Sequence, residues 1–152
     1  MNYSFKDYED AIINALMPLH VKNGGYLRVI KGYTGELDAD EIMRRFLGNS
    51  PGVCVEIYSA EYSQQTFPYY SQEVTVYIYV AAKTTYEQDV ARKGEQGVFR
   101  ILKDIRDRLL GSNLGLNIRP VEIKREAKLG STEHTVLFAA QYVIKNDRIA
   151  VE

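Results

Sequence analysis

A chain of 152 residues with 19 basic and 20 acidic side chains carries a formal net charge of −1, so it lacks the broad positive field that drives non-specific nucleic-acid binding. Its one cysteine, Cys54, excludes an internal disulfide framework and a multi-cysteine zinc site. The opening MNYSFKDYED has neither a basic leader nor an apolar run, and no segment approaches the roughly 18 consecutive apolar residues that span a bilayer, so one soluble domain over residues 1–152, away from membranes, is expected.

In chain order, Tyr8, Ile12, Leu16 and Leu19 recur at helical spacing with Ala11 and Ala15 in the same stripe, which predicts a first helix ending near Pro18. Gly24 and Gly25 break it, and YLRVIKGY from Tyr26 reads as a short strand ending at Gly32. Asp38 followed three residues later by Glu41 has the form of a capping box. It opens a small helix with Ile42, Met43, Phe46 and Leu47 on its apolar side and Gly48 at its end.

From Pro51 the period changes to two. Val53, Val55 and Ile57 alternate with Cys54, Glu56 and Tyr58, and after a loop around Ser63 to Tyr70 the run SQEVTVYIYVAAKT sets Val74, Val76, Ile78 and Val80 against Thr75, Tyr77 and Tyr79. Two such runs make a long antiparallel hairpin. A polar linker, Thr84 to Glu95, leads to the strongest helical pattern in the chain. There Val98, Ile101, Leu102, Ile105 and Leu109 share one face, while Arg100, Lys103, Asp104, Arg106, Asp107 and Arg108 share the other. That helix starts at Gly97, or as early as Tyr86 if Gly94 and Gly97 are tolerated within it, and Gly111 reads as its C-cap. Ile118 to Arg125 predicts a strand whose Pro120 suggests an edge or a bulge; AKLGST reads as a loop; HTVLFAAQYVIK, apolar on both faces, reads as a central strand. The order α-β-α-β-β-α-β-β implies an α+β domain, a mainly antiparallel or mixed sheet with helices packed on one face.

Residues of reactive type are scattered. His20 and His134 lack a second ligand at metal spacing. Asp38, Asp40 and Glu41 fail the calcium-loop pattern, which needs glycine where Met43 stands. Asp104 and Asp107 are interleaved with basic residues as in a solvated, ion-paired helix face. Gly111 and Gly115 match no phosphate-cradling loop, and Ser63, Ser71 and Ser131 sit in no nucleophile elbow. No catalytic, metal or cofactor site is expected, and the chain reads as a non-enzyme.

The tyrosines carry the one uneven pattern. There are 12, with no tryptophan, and Tyr58, Tyr62, Phe67, Tyr69, Tyr70, Tyr77 and Tyr79 all fall on the hairpin. They either cover the second face of the sheet against the first helix, or form a subunit contact, since exposed aromatic patches on soluble proteins mark protein partners.

GELDADEIMRRFLGNSPGVCVEIYSAEY and GVFRILKDIRDRLLGSNLGLNIRPVEI, together with the helix YEDAIINAL, resemble the tail terminator, or tail-completion, family of Mu-like contractile phages and prophages. The matched features are a strand leading to Gly32-Tyr33-Thr34-Gly35-Glu36-Leu37, a Pro51-Gly52-Val53 strand, and the amphipathic helix followed by Leu114-Gly115-Leu116 and a proline-containing strand. The resemblance implies a virion subunit, made in the host cytoplasm, that forms a homo-oligomeric ring, usually a hexamer, on the head-proximal end of the tail. Such a ring ends tube and sheath growth and joins the tail to the head connector, with DNA at most passing through its lumen. Another head-tail connector or tail-assembly subunit is the alternative, and a small-molecule enzyme with a site at a subunit boundary is a third. A closed ring needs a heterologous contact. The hairpin from Val53 to Thr84 and the small helix from Asp38 to Leu47 are the candidate surfaces.

Overall fold

A computed structural model describes residues 2–35, 40–83, 97–131 and 135–150, with the side chains of 40–43 and 83 outside that description. The described elements are α1 (Phe5–Leu16), β1 (Val29–Gly32), α2 (Asp40–Gly48), β2 (Gly52–Gln64), β3 (Tyr69–Lys83), α3 (Val98–Leu109), β4 (Glu122–Ser131) and β5 (Thr135–Ala150), with 3₁₀ turns at Met17–Leu19 and Val21–Asn23. Five strands form one mixed sheet in the order β1-β2-β3-β5-β4, in which only the β1–β2 pair is parallel. The fold is α+β, as expected.

Helix α1 starts three residues earlier than the apolar stripe requires, because Ser4 caps it. The Ser4 hydroxyl accepts from the Asp7 N–H at 3.1 Å and the Asp7 carboxylate accepts from the Ser4 N–H at 2.8 Å, a reciprocal capping box. Its buried Tyr8, Ile12 and Leu16, with Val98, Ile101, Leu102, Ile105 and Leu109 of α3, cover one face of the sheet over Val53, Val55, Val74, Val76, Ile78, Val80, Val136, Ala140 and Ile144. Helix α3 is as expected: Gly97 precedes it, and Gly111 follows at φ 79°, the left-handed geometry that favours glycine.

The expectation that the helices share one face holds for α1 and α3 but not for α2. Phe46 packs with Cys54 and Ala81, flanked by Tyr33, Leu47, Tyr79 and Leu137, and these alternate along β2 and β3 with the residues that face α1. Helix α2 therefore lies on the opposite face, at one end of the sheet. The capping box at Asp38 and Glu41, the linker from Thr84 to Glu95 and His134 lie outside the described residues.

Two strand boundaries differ from expectation. The chain from Ile118 to Val121 is not in the ladder: the Arg119 N–H donates to the Lys145 carbonyl at 3.0 Å, and Val121 exchanges backbone hydrogen bonds with Gly111 and Ser112. Strand β4 begins at Glu122, after Pro120, and runs through the segment expected to be a loop. Register shifts at Ile123/Arg125 and Lys128/Gly130 break its two-residue alternation, so the apolar pattern was lost although pairing with β5 continues to Ser131. Strand β5 likewise continues past Ile144 to Ala150, where Tyr69 and Tyr70 supply its partner backbone.

Buried polar groups are mostly paired. Tyr8 Oη donates to Gln72 Oε1 at 2.5 Å, and Gln72 Nε2 donates to Tyr62 Oη at 2.9 Å, tying α1 to the hairpin. The exceptions are Glu126 Oε2 and the hydroxyl of Tyr142, whose ring is buried; neither atom has a hydrogen-bond partner among the described residues. Tyr142→Phe removes the orphan hydroxyl without altering the packed ring, so it is expected to change stability by between zero and about 1 kcal/mol in the stabilising direction. A denaturant titration checks this, and a loss above about 1 kcal/mol would mean the hydroxyl is satisfied after all.

Candidate assembly surface

The hairpin is the longest feature of the sheet, and its geometry follows from pleat and bulge. Before Ile57, odd residues of β2 pair with even residues of β3 and face α1 and α3. A register shift between Ile57 and Ser59 inserts Tyr58 as an extra residue, after which the parity reverses and Ala60 and Tyr62 face α1. Tyr58 and Tyr62 thus leave the sheet on opposite sides, although they are four apart in a strand.

The seven aromatic residues expected to act together divide into three groups. Tyr58, Tyr77 and Tyr79 lie on the face opposite α1, with Tyr58 against Tyr77 edge to face at 5.1 Å and Tyr77 stacked on Tyr79 at 6.3 Å between centroids. Tyr33, which sequence reasoning left out, extends the strip, 5.2 Å from Tyr79. These residues come from three separate segments, brought together by the parallel β1–β2 and antiparallel β2–β3 pairings. Tyr62 belongs to the α1 side through Gln72. Phe67 and Tyr69 are at the hairpin tip, Phe67 71% exposed and Tyr69 under the Arg148 guanidinium at 5.2 Å, and Tyr70 is half-buried in β3. The tyrosine strip therefore does not cover the sheet against the first helix, which packs on the aliphatic face.

The strip is graded in exposure. Tyr58 is 61% exposed, whereas Tyr79 is half-buried and donates its hydroxyl to Glu56 Oε1 at 2.7 Å. Burial, then the hydrogen bond to Glu56 and its negative charge, raise the Tyr79 pKa well above the usual tyrosine range. Alongside the strip, β5 contributes half-buried Leu137, Ala139 and Gln141, paired with Ala81, Tyr79 and Tyr77. The result is a strip of aromatic and aliphatic side chains on a sheet face that also carries charges, Glu61, Glu73 and Lys145 among them, towards its other end.

Potential reactive groups are engaged elsewhere. Asp104 accepts from Tyr26 Oη at 2.5 Å and pairs with Arg100 at 3.5 Å; Asp107 pairs with Lys103 at 2.7 Å. His20 caps the turn at Val21–Asn23 by accepting from the Lys22 N–H at 3.1 Å. Cys54 is buried against Phe46. Among the described residues, no three His, Cys, Asp or Glu side chains converge as a metal would require, and no helix is long and apolar enough to cross a membrane. Clefts are shallow. One of about 340 Å³ lies at the β2 edge between Phe5, Glu9, Tyr33 and Ile57, and one of about 500 Å³ lies beside α1, where Asp7 and Asp10 are already bonded to Ser4 and Lys6.

With the surface described, the comparison with known families is decisive at the level of family. The family described as Bacteriophage Mu, Gp37 matches residues 4–145, nearly the whole chain, with β1 to β4 complete and β5 as far as Lys145. The chain belongs to the Mu Gp37 family. It is accordingly a phage protein of structural, tail-related type, a virion component. No curated protein matches it. The match to the Mu Gp37 family takes in both the aromatic hairpin and the sheet edge that flanks it.

Proposed function

We propose that this Mu Gp37 family member is the tail terminator subunit: a protein that assembles as a ring on the head-proximal end of the tail, ends tube and sheath polymerisation and presents a docking surface to the head connector. The observation that supports this reading most directly is the partly exposed tyrosine strip on the α2 face, with Tyr58 open to solvent, on a protein of a structural phage family. Its action is binding by shape, with no bond made or broken, and the ring is formed by copies of this chain, six in the arrangement the resemblance implies.

The test is direct. Purified protein, alone and with tail tubes, is expected to give rings in negative stain and to cap tube ends; a chain that stays monomeric at high concentration and leaves tube ends bare would overturn the proposal. Tyr58→Ser adds a surface-specific prediction. Because Tyr58 is largely exposed, its loss should leave the melting temperature nearly unchanged while weakening assembly by about 1–2 kcal/mol, read as a roughly tenfold rise in the concentration needed to assemble. Equal assembly by the variant removes the strip from the contact.

A further inference from the structure

The two edges of the sheet differ in a way that the fold alone does not require. Strand β1 pairs with β2 only as far as Gly32 opposite Val55, so among the described residues β2 has no neighbour on that side from Glu56 to Gln64. This free edge carries no lysine, arginine or proline; its protection is limited to Glu56, Glu61 and the bulge at Tyr58. On it, Glu61 stands directly opposite Glu73 of β3, an unfavourable like-charge pair; Glu73 has Lys145 of β5 opposite it on its other side, whereas Glu61, at the edge, has no cation beside it among the described residues.

The other edge is β4, and it has the opposite sign. Its acids are consumed inside the subunit, Glu126 by Arg106 of α3 and Glu122 by Lys145 of β5 at 3.1 Å. Lys124, Arg125 and Lys128 are left exposed without partners among the described residues. Arg125 pairs with Gln141 and Glu61 with Glu73, which puts both on the sheet face that carries the tyrosine strip. The directions also agree. Strands β2 and β5 run the same way and β4 runs against them, so copies repeated along the sheet bring β4 of one against β2 of the next in antiparallel sense, the more stable pairing. Register shifts in both strands bend them, the curvature a closed belt needs.

We infer that the β4 edge of one copy adds to the free Glu56–Gln64 edge of β2 in a second copy, with Arg125 meeting Glu61, so that the sheets join into one continuous belt. This rests on the ring reading and specifies its contact. The pairing is heterologous, as closure demands, and it relieves the Glu61/Glu73 repulsion by placing a cation beside it.

The experiment is a charge swap on the full chain. Glu61→Lys and Arg125→Glu are each expected to raise the assembly concentration by about tenfold or more while leaving far-ultraviolet dichroism and melting temperature unchanged, and the two together are expected to restore assembly. Glu61→Gln and Arg125→Gln, which remove charge without reversing it, should give smaller losses of the same kind and serve if a reversal perturbs the fold. Rings that form normally in both single reversals overturn the edge contact and leave the terminator reading standing. A wild-type chain that never assembles overturns the terminator reading, and this inference with it.

Discussion

Ile105→Ala is expected to lower the unfolding free energy by about 2–5 kcal/mol, a cost made of lost transfer energy and the cavity left behind. Ile105 is fully buried at the middle of α3, in one core with Ile101, Leu102 and Leu109. Collapse is restricted from two sides: α3 lies on the sheet over β3 and β5 with α1 beside it, and its ends are fixed by Gly97 and by the turn at Gly111. The same helix supplies an internal control. Lys103 is exposed and pairs only with Asp107, so Lys103→Ala should change stability by less than about 0.5 kcal/mol. Denaturant unfolding of the two variants measures both, and an Ile105→Ala cost no larger than that of Lys103→Ala would refute the placement of α3 as the main packing helix.

What was legible in the sequence followed from period and from punctuation. Helix α3, β3 and β2 as far as Ile57 were readable because their apolar residues keep one period without interruption. Strand β4 was not, because its two register shifts scramble the alternation and Gly130 imitates a loop. The same physics limited the site. Parity placed Tyr77 and Tyr79 together on the non-aliphatic face, but the bulge at Tyr58 sent Tyr62 to the opposite side, and a bulge has no local sequence mark here. Tyr33 could not be assigned to the strip before the parallel pairing of β1 with β2 was known, since parallel pairing is a long-range fact. The capping box at Ser4 and Asp7 was readable in principle from its spacing.

The second large effect is alkaline. Four tyrosines are held neutral by the fold: Tyr8 by burial, Tyr142 by burial and then by the nearby Glu126 charge, Tyr26 by burial and then by its hydrogen bond to Asp104, and Tyr79 by burial and then by Glu56. Each therefore has a folded pKa raised above its unfolded value of about 10. In the unfolded chain these phenols lose their protons near that pH, while in the folded chain they keep them, so above it the unfolded state is the one with fewer bound protons. Stability is thus fully present below about pH 10 and falls as pH rises beyond it. Denaturant midpoints should be level from pH 8 to about 9.5 and drop steadily from about 10.5 upward. Absorbance at 295 nm should show a late group of tyrosines ionising only as dichroism reports unfolding. Tyr79→Phe, which removes one late phenol together with its bond to Glu56, should flatten part of the fall while lowering the plateau. A midpoint that stays level through the tyrosine range, or phenols that all ionise near 10 in the folded protein, would mean that Tyr8, Tyr26, Tyr79 and Tyr142 are open to water and that the sheet is not covered as described.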